Sequence, residues 1–124
     1  MLYLEDLTEK INGAAIEVHR TLGPGLLESA YQECLARELT LRKVPFEKEK
    51  NLPVEYKGVH VDGGYRIDFL IDNQVIVELK AVEAVLPIHR AQLITYLKLT
   101  GHKVGLLINF NVRQLIKGIE RLAN

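Results

Sequence analysis

The sequence predicts an α/β domain in which a central mixed sheet is flanked by helices. Three observations carry this. Helix-spaced apolar stripes run through the first forty residues, β-branched and aromatic residues alternate with polar ones between about 51 and 81, and a helical pattern followed by an apolar run of strand length comes after Pro87. With 124 residues and 48% hydrophobic composition, the chain can bury one core, so it is expected to form a single domain over 1–124.

The first helix is expected over 5–21, with Leu7, Ile11, Ala14, Ala15, Val18 and Leu22 at helical spacing and Gly23-Pro24-Gly25 as its stop. A second stripe from Leu26 to about Leu41 runs through Leu27, Ala30, Tyr31, Cys34, Leu35 and Leu39, and Pro45 closes it. The following LRKVPFEKEK (41–50) is the densest cationic stretch, interrupted by Glu47 and Glu49, and reads as a solvated linker. Lys57-Gly58, Asp62-Gly63-Gly64 and Asp72-Asn73 then divide the alternating region into a meander of three or four strands. Pro87 starts a helix that lasts to Thr100, Gly101 ends it, and HKVGLLINF (102–110) is a buried-type strand. Asn111 is expected to cap a last helix along Leu115, Ile119 and Leu122, giving the order ααβββ(β)αβα.

Sixteen basic and sixteen acidic side chains cancel, so the overall field offers no footprint for a strongly anionic partner, and any phosphate binding must be local. Cys34 is the only cysteine, which excludes an internal disulfide and a multi-cysteine metal site and fits a reducing compartment. The N-terminal MLYLEDLTEK carries acids where a secretory signal needs a basic region, and no apolar run approaches the roughly 18 residues of a membrane span. A cytoplasmic protein is the expectation. No G-x-S-x-G elbow, Walker loop or GxGxxG run occurs, and Cys34 lies on an apolar helix face, so acyl transfer and nucleoside-triphosphate chemistry lack support.

The stretch YRIDFLIDNQVIVELKA (65–81) is more informative. A two-residue Asp72-Asn73 turn would mix charge into the oily face, whereas a loop of 72–74 opposes Ile71 to Val75, Phe69 to Val77 and Ile67 to Leu79 and leaves that face wholly apolar. The same register sets Asp68 opposite Glu78 and Arg66 opposite Lys80, with β-carbons about 5 Å apart. Like charges at about 4 Å repel by about 1 kcal/mol in water and about 4 kcal/mol at an effective dielectric of 20. Either a divalent cation between the carboxylates offsets this, since paired hard oxygens suit Mg²⁺ or Mn²⁺, or Arg66 and Lys80 pair with the acids on a solvated face.

Asp68 followed after nine residues by Glu78-Leu79-Lys80 resembles the D…ExK signature of the PD-(D/E)XK nuclease superfamily. GLLESAY, with Gly25, Glu28 and Tyr31, matches the motif of the bacterial GxxExxY family placed in that superfamily, and the likeness extends from His19 to about Gly101. Gln92 and Tyr96 are similar to the Q-x3-Y helix motif of its RecB-like branch. Where the superfamily name implies Pro-Asp, this chain has Ile67-Asp68.

The resemblance implies a restriction-endonuclease-like αβββαβ core, here with an extra helix at each end, and a Mg²⁺- or Mn²⁺-dependent nuclease acting on DNA before RNA. It implies Glu28 as a third metal carboxylate beside Asp68 and Glu78, with the carbonyl of Leu79 and the counterpart histidine, His19, completing the donor set. Glu28 aligns with Tyr31, Leu35 and Leu39 and so faces inward, yet a carboxylate in the first turn also suits a helix dipole. His19 in a last helical turn is equally at home without a metal. Lys80 would position water or stabilise charge, and Gln92, which interrupts the stripe Ile88, Tyr96, Leu99, would support Lys80, Glu78 or a phosphate, or be a satisfied core amide. Tyr96 and Tyr31 are either site residues or core aromatics, and Arg66 and His89 either contact phosphate or lie on plain surface. The competing reading is a catalytically silent nucleic-acid-binding or scaffold protein, which the neutral charge favours, and a third is a nuclease whose groove is completed by a homodimer partner.

Overall fold

The structure is a computed structural model that describes residues 4–124. Helix α1 (Glu5–Leu22) buries Ile11, Ala14, Ala15 and Val18 at helical spacing, and Gly23, at φ 74°, donates its N–H to the His19 carbonyl at 2.7 Å to end it. Helix α2 (Glu28–Leu41) starts two residues later than the sequence suggests and buries Tyr31, Leu35 and Leu39. The strands are β1 (Phe46–Asn51), β2 (Val54–Tyr56), β3 (Val59–Val61), β4 (Arg66–Ile71) and β5 (Val75–Lys80). Helix α3 (Pro87–Thr100), β6 (Val104–Asn109), a 3₁₀ turn (Leu115–Gly118) and β7 (Ile119–Ala123) complete the chain.

Five strands form one mixed sheet in the order β1-β4-β5-β6-β7, with β5 and β6 parallel and the other pairs antiparallel. Helices α1 and α2 cover one face through a cluster that includes Ala14, Tyr31, Phe69, Val77, Leu106 and Phe110. Helix α3 covers the other through Leu93, Tyr96 and Leu97 against Ile67, Leu70, Ile76 and Leu107. Covered on both faces, β6 is buried along its whole length, which is why its sequence reads as a continuous apolar run. The series α2, β1, β4, β5, α3, β6 has the order αβββαβ.

Three expectations are corrected. The linker is in fact strand β1: FEKEKN alternates, with Phe46 and Lys48 turned partly inward, and an edge strand tolerates the charges that disguise it. Lys48 also reaches Glu33 of α2 at 2.7 Å. The meander divides, because β2 and β3 pair only with each other and form a separate exposed hairpin between β1 and β4. The last helix does not form. A side chain at Gly118 would collide with the Asn109 carbonyl, so the chain turns there and returns as β7 alongside β6. Glycine in the middle of a helix is in any case unfavourable by about 1 kcal/mol relative to alanine.

Candidate active site

The β4–β5 hairpin has the register of the longer loop, with Ile71 opposite Val75, Leu70 opposite Ile76 and Phe69 opposite Val77. Asp72 and Asn73 both adopt left-handed conformations (φ 51° and 53°), residues suited to such a turn, and Gln74 N–H donates to the Ile71 carbonyl at 3.0 Å. Beyond Phe69 the ladder stops. Ile67 packs with Leu70 and Ile76 on the α3 side, not with Phe69 and Ile71, so the expected wholly apolar face ends before it and Arg66 is not paired with Lys80.

Side chains replace the ladder at this break. Asp68 Oδ2 accepts the Leu79 N–H at 2.8 Å, and Glu78 Oε2 accepts the Asp68 N–H at 3.3 Å. On the opposite flank β1 pairs with β4 on either side of Asp68 but not at it, and there Glu49 has a left-handed φ of 54°. Such backbone strain costs of the order of 1–3 kcal/mol and concentrates at functional sites.

Glu78 is 6% exposed, and its Oε1 is buried with no hydrogen-bond partner. Burial first, then the negative charge of Asp68, push its carboxyl up to about 9, only partly opposed by Lys80. Without a cation Glu78 therefore holds a proton at neutral pH. Glu28, exposed at the start of α2, is also raised, by partial desolvation and then by the charge of Asp68, with Lys80 opposing. Lys80 ends β5 and has no ion-pair partner within 4 Å among the described residues.

These residues fit a hard divalent cation: an orphaned buried carboxylate oxygen lies beside a second carboxylate, with a third acid within electrostatic reach. The cage is open, since among the described residues no three His, Cys, Asp or Glu side chains gather into one metal-holding group.

The sequence profile of the PD-(D/E)XK nuclease superfamily matches residues 5–122. The chain belongs to the PD-(D/E)XK nuclease superfamily. Its α/β architecture is restriction-endonuclease-like, and membership points to a metal-dependent nuclease acting on nucleic acid. No curated protein and no solved structure matches the chain significantly. Among the described residues no helix is long and apolar enough to cross a membrane.

Around this PD-(D/E)XK centre the other expected residues take varied positions. Tyr96 is buried at the foot of α3, and desolvation followed by the charges of Glu78, Tyr65 and Asp68 raises its hydroxyl. Gln92 is exposed: the stripe Ile88, Gln92, Leu99 faces outward, and the buried face of α3 runs through Leu93, Tyr96 and Leu97. Tyr31 is fully buried, stacks on Phe110 at 4.4 Å, donates its hydroxyl to the Gly23 carbonyl and accepts the Leu26 N–H. It holds the loop that leads into Glu28 and is out of reach of a substrate. His19 Nε2 lies 2.7 Å from the Val112 carbonyl, to which it donates, so the contact fixes the ring and leaves Nδ1 outside it. No direct contact joins it to the carboxylates among the described residues. His89 caps α3 by accepting the Leu86 N–H on Nδ1, and Arg66 is exposed at the start of β4.

One residue escaped the sequence reading. Asn109, 4% exposed at the end of β6, accepts the Val82 N–H at 3.1 Å and donates to the Val82 carbonyl at 2.9 Å, while Phe110 N–H donates to the Lys80 carbonyl at 2.9 Å. Together they fix the chain just beyond Lys80. The only signal was a lone amide closing an apolar run. Asn109→Leu is expected to cost about 2–4 kcal/mol by leaving both Val82 groups unpaired, read as a lower urea midpoint at unchanged slope. An unchanged midpoint would show that the clamp is dispensable.

Proposed function

We propose that the chain hydrolyses phosphodiester bonds, in DNA before RNA, with Mg²⁺ or Mn²⁺ as cofactor. The carrying observation is the buried, unpartnered Glu78 oxygen held against Asp68 at a break in the sheet, two residues from Lys80. In this reading Asp68, Glu78 and the Leu79 carbonyl would hold the cation, with Glu28 and His19 as further donors. When bound, the cation supplies charge neutralisation at phosphorus and acidifies the attacking water. Lys80 would bring its ammonium to the phosphate, where negative charge grows as the water oxygen bonds to phosphorus, the water losing a proton to solvent and the ester oxygen leaving and taking one up. Tyr96 and Gln92 orient the strand on the α3 side. To hold a cation Glu78 would have to give up its proton, so cation binding is expected to strengthen as pH rises toward about 9.

The GLLESAY and Q-x3-Y motifs support membership in the GxxExxY family and the RecB-like branch, and the lone Cys34 suits a reducing, cytoplasmic setting. The balanced charge favours one second reading, a binding or scaffold protein that keeps the fold without turnover. Single-stranded, duplex and branched DNA and RNA incubated with Mn²⁺ separate the two. Cleavage by the wild type that is lost in Asp68→Ala/Glu78→Ala supports the enzyme, and no cleavage of any substrate by folded protein supports the scaffold. Specific activity that rises with protein concentration would add a homodimer.

A further inference from the structure

Apolar and aromatic side chains gather beside the carboxylates without a partner. Leu52 before the hairpin, Tyr65 after it, and Ile88, Gln92, Tyr96 and Leu99 of α3 line an open groove of ≈ 370 Å³. Ile88 is 67% exposed, Tyr65 49% and Leu99 46%; other large apolar residues are exposed too, Leu27 most of all, and what sets these three apart is that they line one groove. The groove is built rather than incidental. Leu52 N–H donates to the Tyr65 carbonyl at 2.8 Å, and the Tyr65 ring lies over Gly63 so closely that a methyl group there would collide with the ring edge. Tyr65 is thus held with one face against backbone and half its surface open. At the groove floor Tyr96 belongs to the buried cluster that includes Ile67 and Leu70 of β4, and it lies within electrostatic reach of Glu78 and Asp68.

The occupant can be read from this lining. A duplex seals its bases within the stack and presents phosphates, which a chain of zero net charge attracts weakly. An unpaired strand presents π-faces, which stack on aromatic rings, and base edges, which a side-chain amide such as that of Gln92 can both donate to and accept from. Tyr96, which floors the groove, feels the charges of Glu78 and Asp68, so a strand lying there would pass near the carboxylates.

We propose that this groove holds unpaired bases of the substrate, stacked on Tyr65 and met by Gln92, so that the site acts on single-stranded segments. The inference rests on the nuclease reading and deepens it.

The test is fluorescence anisotropy of a labelled single-stranded oligodeoxynucleotide and of the same sequence as duplex, in EDTA so that binding is measured without turnover. Wild type is expected to bind the single strand more tightly than the duplex. Tyr65→Ala is expected to weaken strand binding about 5- to 150-fold, the range that base–aromatic stacking supplies, and Tyr65→Phe, which keeps the ring, to retain it. Gly63→Ala, which displaces the ring without removing it, should weaken it too. Equal binding of strand and duplex, or strand binding indifferent to Tyr65→Ala, overturns the groove. So does a dimer in sedimentation that Ile88→Glu dissociates while strand binding persists, which would make the groove a face for a second copy. Parallel incubations with Mn²⁺ judge the nuclease reading separately. Tyr65-dependent strand binding without cleavage supports the groove and ends the catalytic reading, whereas cleavage indifferent to Tyr65→Ala ends the groove and spares the catalysis.

Discussion

Glu78→Gln is expected to make the cation-free protein more stable at neutral pH while removing its nuclease activity. Folding raises the Glu78 carboxyl from 4.5 to about 9, because burial and the charge of Asp68 disfavour its ionised form. The folded state therefore binds this proton more tightly than the unfolded one. The associated stability is fully present below about 4.5 and lost as pH climbs toward about 9. A glutamine keeps the shape, presents a neutral group at every pH and can donate to Asp68. Each pH unit between 4.5 and 7 contributes about 1.36 kcal/mol, so the variant gains on the order of 3 kcal/mol at pH 7. Urea midpoints in EDTA at pH 5 and pH 8 check this: the advantage of the variant should widen with pH. Added Mn²⁺ should stabilise the wild type and leave the variant unmoved. A variant less stable than wild type at pH 8 would mean that Glu78 is not a strained, protonated acid.

Lys80→Ala is expected to lower kcat by about 10²- to 10³-fold, the loss typical of removing one group aimed at developing charge. It ends β5 and makes no ion pair among the described residues, so the fold does not depend on its ammonium. Its positive charge opposes a cation at the carboxylates as it opposes the proton on Glu78, so Mn²⁺ binding, measured by calorimetry, should persist or strengthen modestly. Loss of turnover with retained cation binding separates Lys80 from Asp68 and Glu78, whose removal should end both. Full turnover in Lys80→Ala would sink the role given to this residue.

Most of the layered fold was legible because its signals were periodic. The stripe from Ile11 to Val18, the loop of 72–74 and the unbroken apolar run of β6 each follow from burial on one or two faces. The elements that were misread lie at the rim. Strand β1 hides behind alternating charges that an edge permits, and the spacing of Leu115, Ile119 and Leu122 suits a helix until Gly118 meets the Asn109 carbonyl. At the site, continuing the register one step beyond Phe69–Val77 brings Asp68 beside Glu78, and their contact agrees with it. The cross-linking of their side chains with backbone N–H groups does not follow from register, because it depends on the ladder breaking at Asp68. The inward face of α3 was misplaced for a related reason: the stripe through Ile88, Gln92 and Leu99 resembles a buried face, and only the packing of Leu93 and Leu97 shows that the helix turns the other side inward. Asn109 acts through a backbone neighbour distant in sequence, Val82, which no local pattern announces.

The β2–β3 hairpin leaves and re-enters the sheet at adjacent points, since Asn51 and Arg66 are partners in the β1–β4 ladder. The ends of this excursion are already joined by the sheet, so lengthening it adds only about 0.6 kcal/mol of closure entropy per doubling. Evolution or a designer can therefore exchange the hairpin, which contributes Val54 to the groove, while Asp68, Glu78 and Lys80 stay where they are. Leu52 and the Tyr65 carbonyl, which pin the base of the hairpin, are the parts such a graft must keep. The segment most easily exchanged is thus physically separate from the carboxylates.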